Sequence, residues 1–284
     1  MANKVWFVTG ASRGFGLLIA RDALARGDSV VAAARNPQAI VDALGVHPRL
    51  LPLQLDVTKE AAAVVAAQAA VERFGRIDVL VNNAGYGILG AVEETSAEEV
   101  RRNYETNVFG LLNVSRAVLP VMRRQRSGHV INISSLGGYQ AYHGWGVYGS
   151  TKFAVEGLSE AMAQELAPLG VHVTVVEPGF FRTDFLDATS LVETAARIDD
   201  YHDTVGAMRV FAAGANHAQP GDPAKLSQAL LKLADAARPP LRLQLGSDAV
   251  ARAYAKHQQV ERELAQWKEL ALSTDFEAPV QQAA

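Results

Sequence analysis

The sequence predicts an α/β fold: a Rossmann-type, doubly wound parallel sheet of about seven strands with helices on both faces. Three observations predict it. Short β-branched runs recur along the 284 residues. Stretches of helical period separate them. The runs are apolar on both sides, as strands of a parallel sheet covered from above and below must be.

The elements follow in order. KVWFVTG is the first strand; Gly10, Gly14 and Gly16 punctuate its exit, and Phe15–Arg26 reads as a helix. SVVAAAR and LLPLQLD are the second and third strands. Lys59–Phe74 is alanine-rich, and alanine is the best helix former, so it is a plain covering helix. DVLVNNAG is the fourth strand. A long helix over Ala97–Arg124 ends on RRQR, whose charges complement the helix dipole. GHVINISS is the fifth strand. Val147–Leu169 is an amphipathic helix with Val155, Leu158, Met162, Leu166 and Leu169 at helical spacing. VHVTVVEPG is the sixth strand.

After Pro178 the alternation breaks. Residues 180–220 read as a long irregular or short-helical insertion, expected to form a substrate lid. Pro223–Ala236 is a further helix and PLRLQLG a seventh strand. Residues 248–284 form a C-terminal tail, polar-helical to about Leu272 and fraying over STDFEAPVQQAA. No Gly/Ser-rich linker divides the chain, so one domain over 1–284 is expected.

The bulk numbers narrow the class. A hydrophobic fraction of 49% and a charged fraction of 20% suit a globular protein with a sizeable core. The net charge of −3 provides no basic footprint for nucleic acid. Without cysteine there is no thiol catalysis or disulfide. No apolar run is long enough to span a bilayer and no signal-peptide core stands at the N-terminus, so a cytoplasmic protein is expected. No His, Asp or Glu cluster has metal-ligand spacing, and no metal is expected.

Glycines between a first strand and a helix let the backbone approach a pyrophosphate, with free helix N–H groups to bind it. Gly10, Gly14 and Gly16 are so placed, although the spacing G-x-x-x-G-x-G departs from the usual fingerprint. Dinucleotide folds for NAD have an acid at the end of the second strand. Here Ala34 holds that place, Arg35 follows, and Arg13 lies in the glycine loop. Two guanidiniums near one ribose suit a 2′-phosphate, so NADP(H) is the expected cofactor.

Tyr148 and Lys152 are one helical turn apart and share a face. A phenol beside a fixed ammonium ionises more easily, which makes a proton-transfer device.

Taken together, TGASRGFG, LDVT, NNAG, the Asn107 of ETNVFG, the Ser134–Ser135 pair, YGSTK and EPGFFRT resemble the short-chain dehydrogenase/reductase family over Lys4 to about Gly246. VEPGFFRT and TKFAVEGLSEAM resemble its hydroxysteroid and retinol dehydrogenase branch. The resemblance implies a catalytic set of Asn107, Ser135, Tyr148 and Lys152. Tyr148 would be the general acid, Lys152 would lower its pKa and hold the nicotinamide ribose, and Asn107 would hold a relay water. Ser135 would bind the substrate oxygen; the family places this serine thirteen residues before the tyrosine, which selects Ser135 over Ser134. For the cofactor, Asp56 would meet the adenine, Asn83 and Gly85 would flank the adenosine, and Phe181 and Thr183 would meet the carboxamide. Ser12, Val57 and Pro178 complete that set.

Aromatic residues gather near this site in sequence. Tyr142, Trp145 and Phe185 are taken as substrate contacts; Tyr86, Tyr139, Phe180 and Leu186 are further candidates. The expected activity is an NADPH-dependent carbonyl reductase or alcohol dehydrogenase acting on a hydrophobic ketone, aldehyde or secondary alcohol. The alternatives are a hydroxysteroid- or retinoid-type dehydrogenase and a non-catalytic NADP(H) sensor. The resemblance also implies a homodimer or homotetramer paired through the helices containing Asn107 and Tyr148.

Overall fold

The computed structural model describes residues 3–276. Seven parallel strands form the main sheet: β1 (Val5–Thr9), β2 (Ser29–Ala34), β3 (Leu50–Gln54), β4 (Val79–Asn82), β6 (Gly128–Ile133), β7 (Val171–Pro178) and β9 (Arg242–Leu245). Their order is β3-β2-β1-β4-β6-β7-β9. These are the seven runs expected from the sequence. Two three-residue strands, β5 (Gly87–Leu89) and β8 (Leu191–Glu193), pair in parallel as a separate ladder.

Side-chain alternation along each strand divides the core into two layers. Trp6, Val8, Val30, Ala32, Val79, Val81 and Ile131 pack with Ile19 and Ala23 of α1 (Gly14–Ala25), Ile40 of α2 (Gln38–Leu44) and Leu226 and Leu230 of α8 (Pro223–Asp235). Phe7, Val31, Ala33, Leu80 and Val130 face the other way. They meet Ala63, Ala66 and Ala70 of α3 (Glu60–Phe74), Val114 and Val118 of α5 (Gly110–Gln125) and Met162 of α6 (Gly146–Leu166). The alanines of α3 let that helix lie close to the sheet.

Three differences from the sequence reading matter. The helix expected over Ala97–Arg124 is interrupted: α4 (Ala97–Tyr104) leads into a π-turn over Glu105–Phe109, and only then does α5 begin. One extra residue per turn leaves no mark on the apolar period, and such bulges recur at functional sites. The short α2, β5 and β8 were not expected, because three to seven residues carry too little periodicity. Finally, segment 180–220 is more ordered than expected: it contains β8, two short turns over Asp184–Leu186 and Asp199–Tyr201, a π-turn over His202–Gly206 and α7 (Ala207–Ala215). Arg209 of α7 donates to buried Glu94 at 2.6 Å, tying this segment to the body.

The tail helix α9 runs Ser247–Leu272, as expected. Most of the fraying expected after it lies outside the described residues. Among those described, no helix is long and apolar enough to cross a membrane.

A buried polar knot fixes the start of the sheet. Asp28 accepts from the Lys4 amide (2.9 Å) and the Trp6 indole (2.8 Å), and pairs with Arg26. Trp6 is fully buried. Asp28→Ala leaves that indole N–H without a partner and should cost about 2–4 kcal/mol, read as a lower midpoint in urea unfolding.

Candidate active site

The strand order reverses between β1 and β4, and a crevice opens there at the carboxyl ends of the strands, where open α/β sheets bind ligands. The crevice is about 1260 Å³ in volume. The β1–α1 loop forms one edge. Gly10 (φ +64°) and Gly14 (φ +54°) adopt the left-handed backbone conformation that glycine favours. No side chain caps α1, which leaves its leading amides to the crevice. A Cβ on Gly16 would stand 2.4 Å from the Gly10 carbonyl oxygen, so that glycine closes the helix onto the loop. Gly16 and Asn107 stand behind the wall; the other expected cofactor, catalytic and substrate residues line the crevice itself.

Thr9 and Asn83 lock the two edges together. Thr9 Oγ1 accepts from the amides of Asn83 (3.0 Å) and Ala84 (3.1 Å), and Asn83 Nδ2 donates to the Thr9 carbonyl at 2.9 Å. Asp56 Oδ1 accepts from the Thr58 amide and hydroxyl and so holds the turn after β3. Arg35 lies exposed at the end of β2. Arg13 is exposed as well and donates to the Thr189 carbonyl at 2.6 Å, bridging the glycine loop to segment 180–220.

The middle of the crevice holds the tyrosine. Tyr148 is buried among Trp145 (ring centroids 5.8 Å apart), Phe185 (5.6 Å), Leu89 and Leu191. That burial pushes the phenol well above its ordinary pKa, while the neighbouring Ser135 pulls the other way. Lys152 Nζ lies 5.7 Å from the Tyr148 ring centroid and donates to the Ile133 carbonyl at 2.8 Å. Burial brings its ammonium down to about 8, opposed by Glu156. In this arrangement desolvation of the phenol therefore outweighs the acidification expected from Lys152, an effect that residue spacing cannot express.

Asn107 is placed by the π-turn. Its Nδ2 donates to the Tyr86 carbonyl (3.0 Å) and Thr151 Oγ1 (3.1 Å), and its Oδ1 accepts from the Tyr86 amide (3.1 Å). A Cβ on Gly85 would sit 3.0 Å from Asn107 Oδ1 and 3.7 Å from Lys152 Nζ, so Asn107, Gly85 and Lys152 converge. Ser135 Oγ accepts from the Gly137 amide at 3.0 Å, beside Tyr148. Ser134 instead lies on the Glu156 side. Of the further candidates, Tyr86, Phe180 and Leu186 line the crevice; Tyr139 turns away to His257.

Sequence reasoning missed several residues. Met208 and Phe211 of α7 and Arg252 of α9 reach the wall from distant parts of the chain. Gln219 lines it too, buried, with both amide atoms lacking a protein partner. Only the tertiary fold reveals them. The structure also gathers Asp184, Asp187 and His217 within 4.8 Å, a grouping that sequence spacing does not show because His217 is remote from the two aspartates along the chain. Asp187 pairs with His217 at 3.2 Å and accepts from Asn216.

The glycine cradle, the uncapped helix and the orphaned Gln219 amide fit a dinucleotide. Comparison with known proteins agrees. A family profile described as short chain dehydrogenase matches residues 4–193, and the chain belongs to that family. A solved short-chain dehydrogenase from Streptomyces avermitilis is 43% identical, with a TM-score of 0.90, over 97% of this chain and all of that one. Oxidoreductase BOA17 of Botryotinia fuckeliana is 40% identical over 96% of this chain and 99% of its own length. A 3-ketodihydrosphingosine reductase of Bacteroides thetaiotaomicron is 37% identical over 87% and 89%. A 3-ketoacyl-(acyl-carrier-protein) reductase of Brucella melitensis, solved with NADH, is 25% identical, with a TM-score of 0.71, over 85% and 96%. The protein is thus an oxidoreductase acting on CH–OH or C=O groups with a nicotinamide cofactor.

The buried ammonium has a measurable cost. The unfolded chain binds more protons than the folded one between pH 8 and 10.5, so stability rises with pH across that window and the full penalty is present below it. Lys152→Met should therefore raise the Tm of the cofactor-free protein at pH 7. The gain is about 1 kcal/mol after loss of the Ile133 bond, and it should shrink as pH rises from 8 towards 10.5.

Proposed function

We propose that the protein is an NADPH-dependent carbonyl reductase, reversible as an alcohol dehydrogenase, for a hydrophobic ketone or aldehyde. The observation that carries this reading is the convergence of Ser135, Tyr148 and Lys152 in a crevice walled by Trp145, Phe180, Phe185 and Leu186. The bound cofactor supplies or accepts the hydride. The chain supplies placement and protons. Reduction builds negative charge on the substrate oxygen, and that oxygen needs a donor and a proton. Ser135 Oγ donates to it. The Tyr148 hydroxyl, held protonated by burial, gives up its proton; in the oxidative direction the phenolate takes it back. Lys152 would stabilise the phenolate and hold the ribose hydroxyls of the bound cofactor, and Asn107 would position a water that returns protons to Lys152.

Gly10, Ser12 and Gly14 would cradle the pyrophosphate, with Gly16 behind them closing the helix onto the loop; Asp56, Val57, Asn83 and Gly85 would enclose the adenosine. Pro178, Phe181 and Thr183 would hold the nicotinamide end. The absence of an acid at Ala34, with Arg35 exposed at the end of β2 and Arg13 also lining the crevice, favours the 2′-phosphate of NADPH, which Arg13 would meet by exchanging its bond to the Thr189 carbonyl. The apolar wall suits a long or bulky substrate, in keeping with a relative named as a reductase of 3-ketodihydrosphingosine. Residues 180–220 act as the lid over that wall, held at Arg209–Glu94 and Arg13–Thr189.

Tyr148→Phe keeps the ring and removes the proton. It should abolish turnover with a ketone while NADPH binding, read by fluorescence titration, is largely retained; comparable turnover in the variant rejects the mechanism. Cofactor choice is tested separately. Arg35→Ala should lower kcat/KM for NADPH by roughly ten- to a hundredfold, after a discount for solvent exposure, and leave NADH use nearly unchanged. Ala34→Asp should go further, because its carboxylate repels the phosphate and accepts from the NADH ribose. A wild-type enzyme that prefers NADH rejects the assignment of both arginines.

A further inference from the structure

Helix α9 begins on the body and then leaves it. At its root Ala249 is buried, Arg252 stacks over Tyr142 with 4.7 Å to the ring centroid, and His257 bonds to the Tyr139 hydroxyl. Every described residue from 257 to 276 is exposed. Yet this free length is not polar all round. Val260 (48% exposed), Leu264 (65%) and Trp267 (59%) recur with Ala271 at spacings of four, three and four, the seam of a coiled coil. Gln258, Gln259, Arg262, Gln266 and Glu269 occupy the opposite side. A helix of this kind is stabilised chiefly by burying its apolar face, and no described residue of its own chain covers this one.

We infer that the free half of α9 pairs antiparallel with the same segment of a second copy of this chain. Two observations select this occupant and this direction. The seam continues the face that meets the body at Ala249, Ala253 and His257. A parallel partner would bring its own body into the space the first body fills. An antiparallel partner ends where that body begins. The charges then match. Centred between Leu264 and Trp267, the pairing sets Leu264 against the partner's Trp267 and Val260 against the partner's Ala271. Glu261 falls beside the partner's Lys268, and symmetry repeats the ion pair. An anionic membrane surface is a poorer occupant: from 257 to 276 the acids Glu261, Glu263, Glu269 and Asp275 outnumber Arg262 and Lys268.

Leu264 and Trp267 line no part of the crevice, so they can be changed without touching it. Leu264→Glu combined with Trp267→Glu should halve the mass measured by light scattering at micromolar concentration, with NADPH binding unchanged. An unchanged mass, or a wild-type monomer, overturns the inference. The chain has no cysteine, so a second arm reads geometry directly. Glu261→Cys combined with Lys268→Cys should give a disulfide-linked dimer on mild oxidation, while Glu261→Cys alone should give none. Absence of the dimer in the double variant, or equal cross-linking in the single one, overturns the antiparallel pairing.

Discussion

The junction of β1, α1 and β4 is the contact on which the site depends. Asn83 Nδ2 donates to the Thr9 and Gly10 carbonyls, Thr9 Oγ1 takes the amides of Asn83 and Ala84, and Gly16 lies against both the Gly10 carbonyl and Asn83. At this point the chain has run outward through β2 and β3 and crossed back to β4, so the two loops are free to part. Without the knot they would part by an undefined amount. With it the crevice has fixed edges, and a glycine is required at position 16 because any side chain would strike the Gly10 carbonyl oxygen.

The second constraint is the π-turn. A continuous α-helix from Ala97 to Gln125 would rotate Asn107 off the Tyr86 backbone. The extra residue in the turn keeps both of its amide atoms bonded, to Tyr86 and Thr151. Thr151 in turn donates to the Tyr148 carbonyl. The asparagine is thereby linked to the helix bearing Tyr148 and Lys152 through side-chain hydrogen bonds, which hold it more narrowly than packing would.

What was legible in the sequence follows the range of each signal. The seven strands were legible because the inner ones are apolar on both faces, the edge strand β9 alternates Arg242 and Gln244 with Leu243 and Leu245, and each is bounded by glycine or a polar turn. Tyr148, Lys152 and the glycine loop were legible because they are close in sequence and their spacing has geometric meaning. The π-turn was not, since one inserted residue does not disturb the apolar period around Val114 and Val118. Gln219, Met208, Phe211 and Arg252 were not, because they join the site only through the packing of α7 and α9. The electrostatics were legible least of all. Spacing places Lys152 beside Tyr148, but the direction in which the phenol moves depends on how completely Trp145, Phe185 and Leu191 exclude water.

That exclusion sets the energetics of the site. Lys152 and Glu156, one turn apart on α6, are both buried, and burial opposes charge on each: the ammonium comes down to about 8 and the Glu156 carboxyl is raised to about 7. Glu177 at the end of β7 is raised as well by its burial. Arg242 of the edge strand β9 offsets part of this, reaching Glu156 at 3.2 Å and Glu160 at 2.6 Å. A strand added at the sheet edge thus supplies the counter-charge for a helix whose other end carries the tyrosine. The same dry surroundings that make these charges costly keep the Tyr148 proton in place until an oxygen with developing charge is presented to it. A wetter crevice would relieve the cost on Lys152 and let the Tyr148 proton go to solvent more readily, so the instability stored around Lys152 and the retention of the Tyr148 proton have one physical origin.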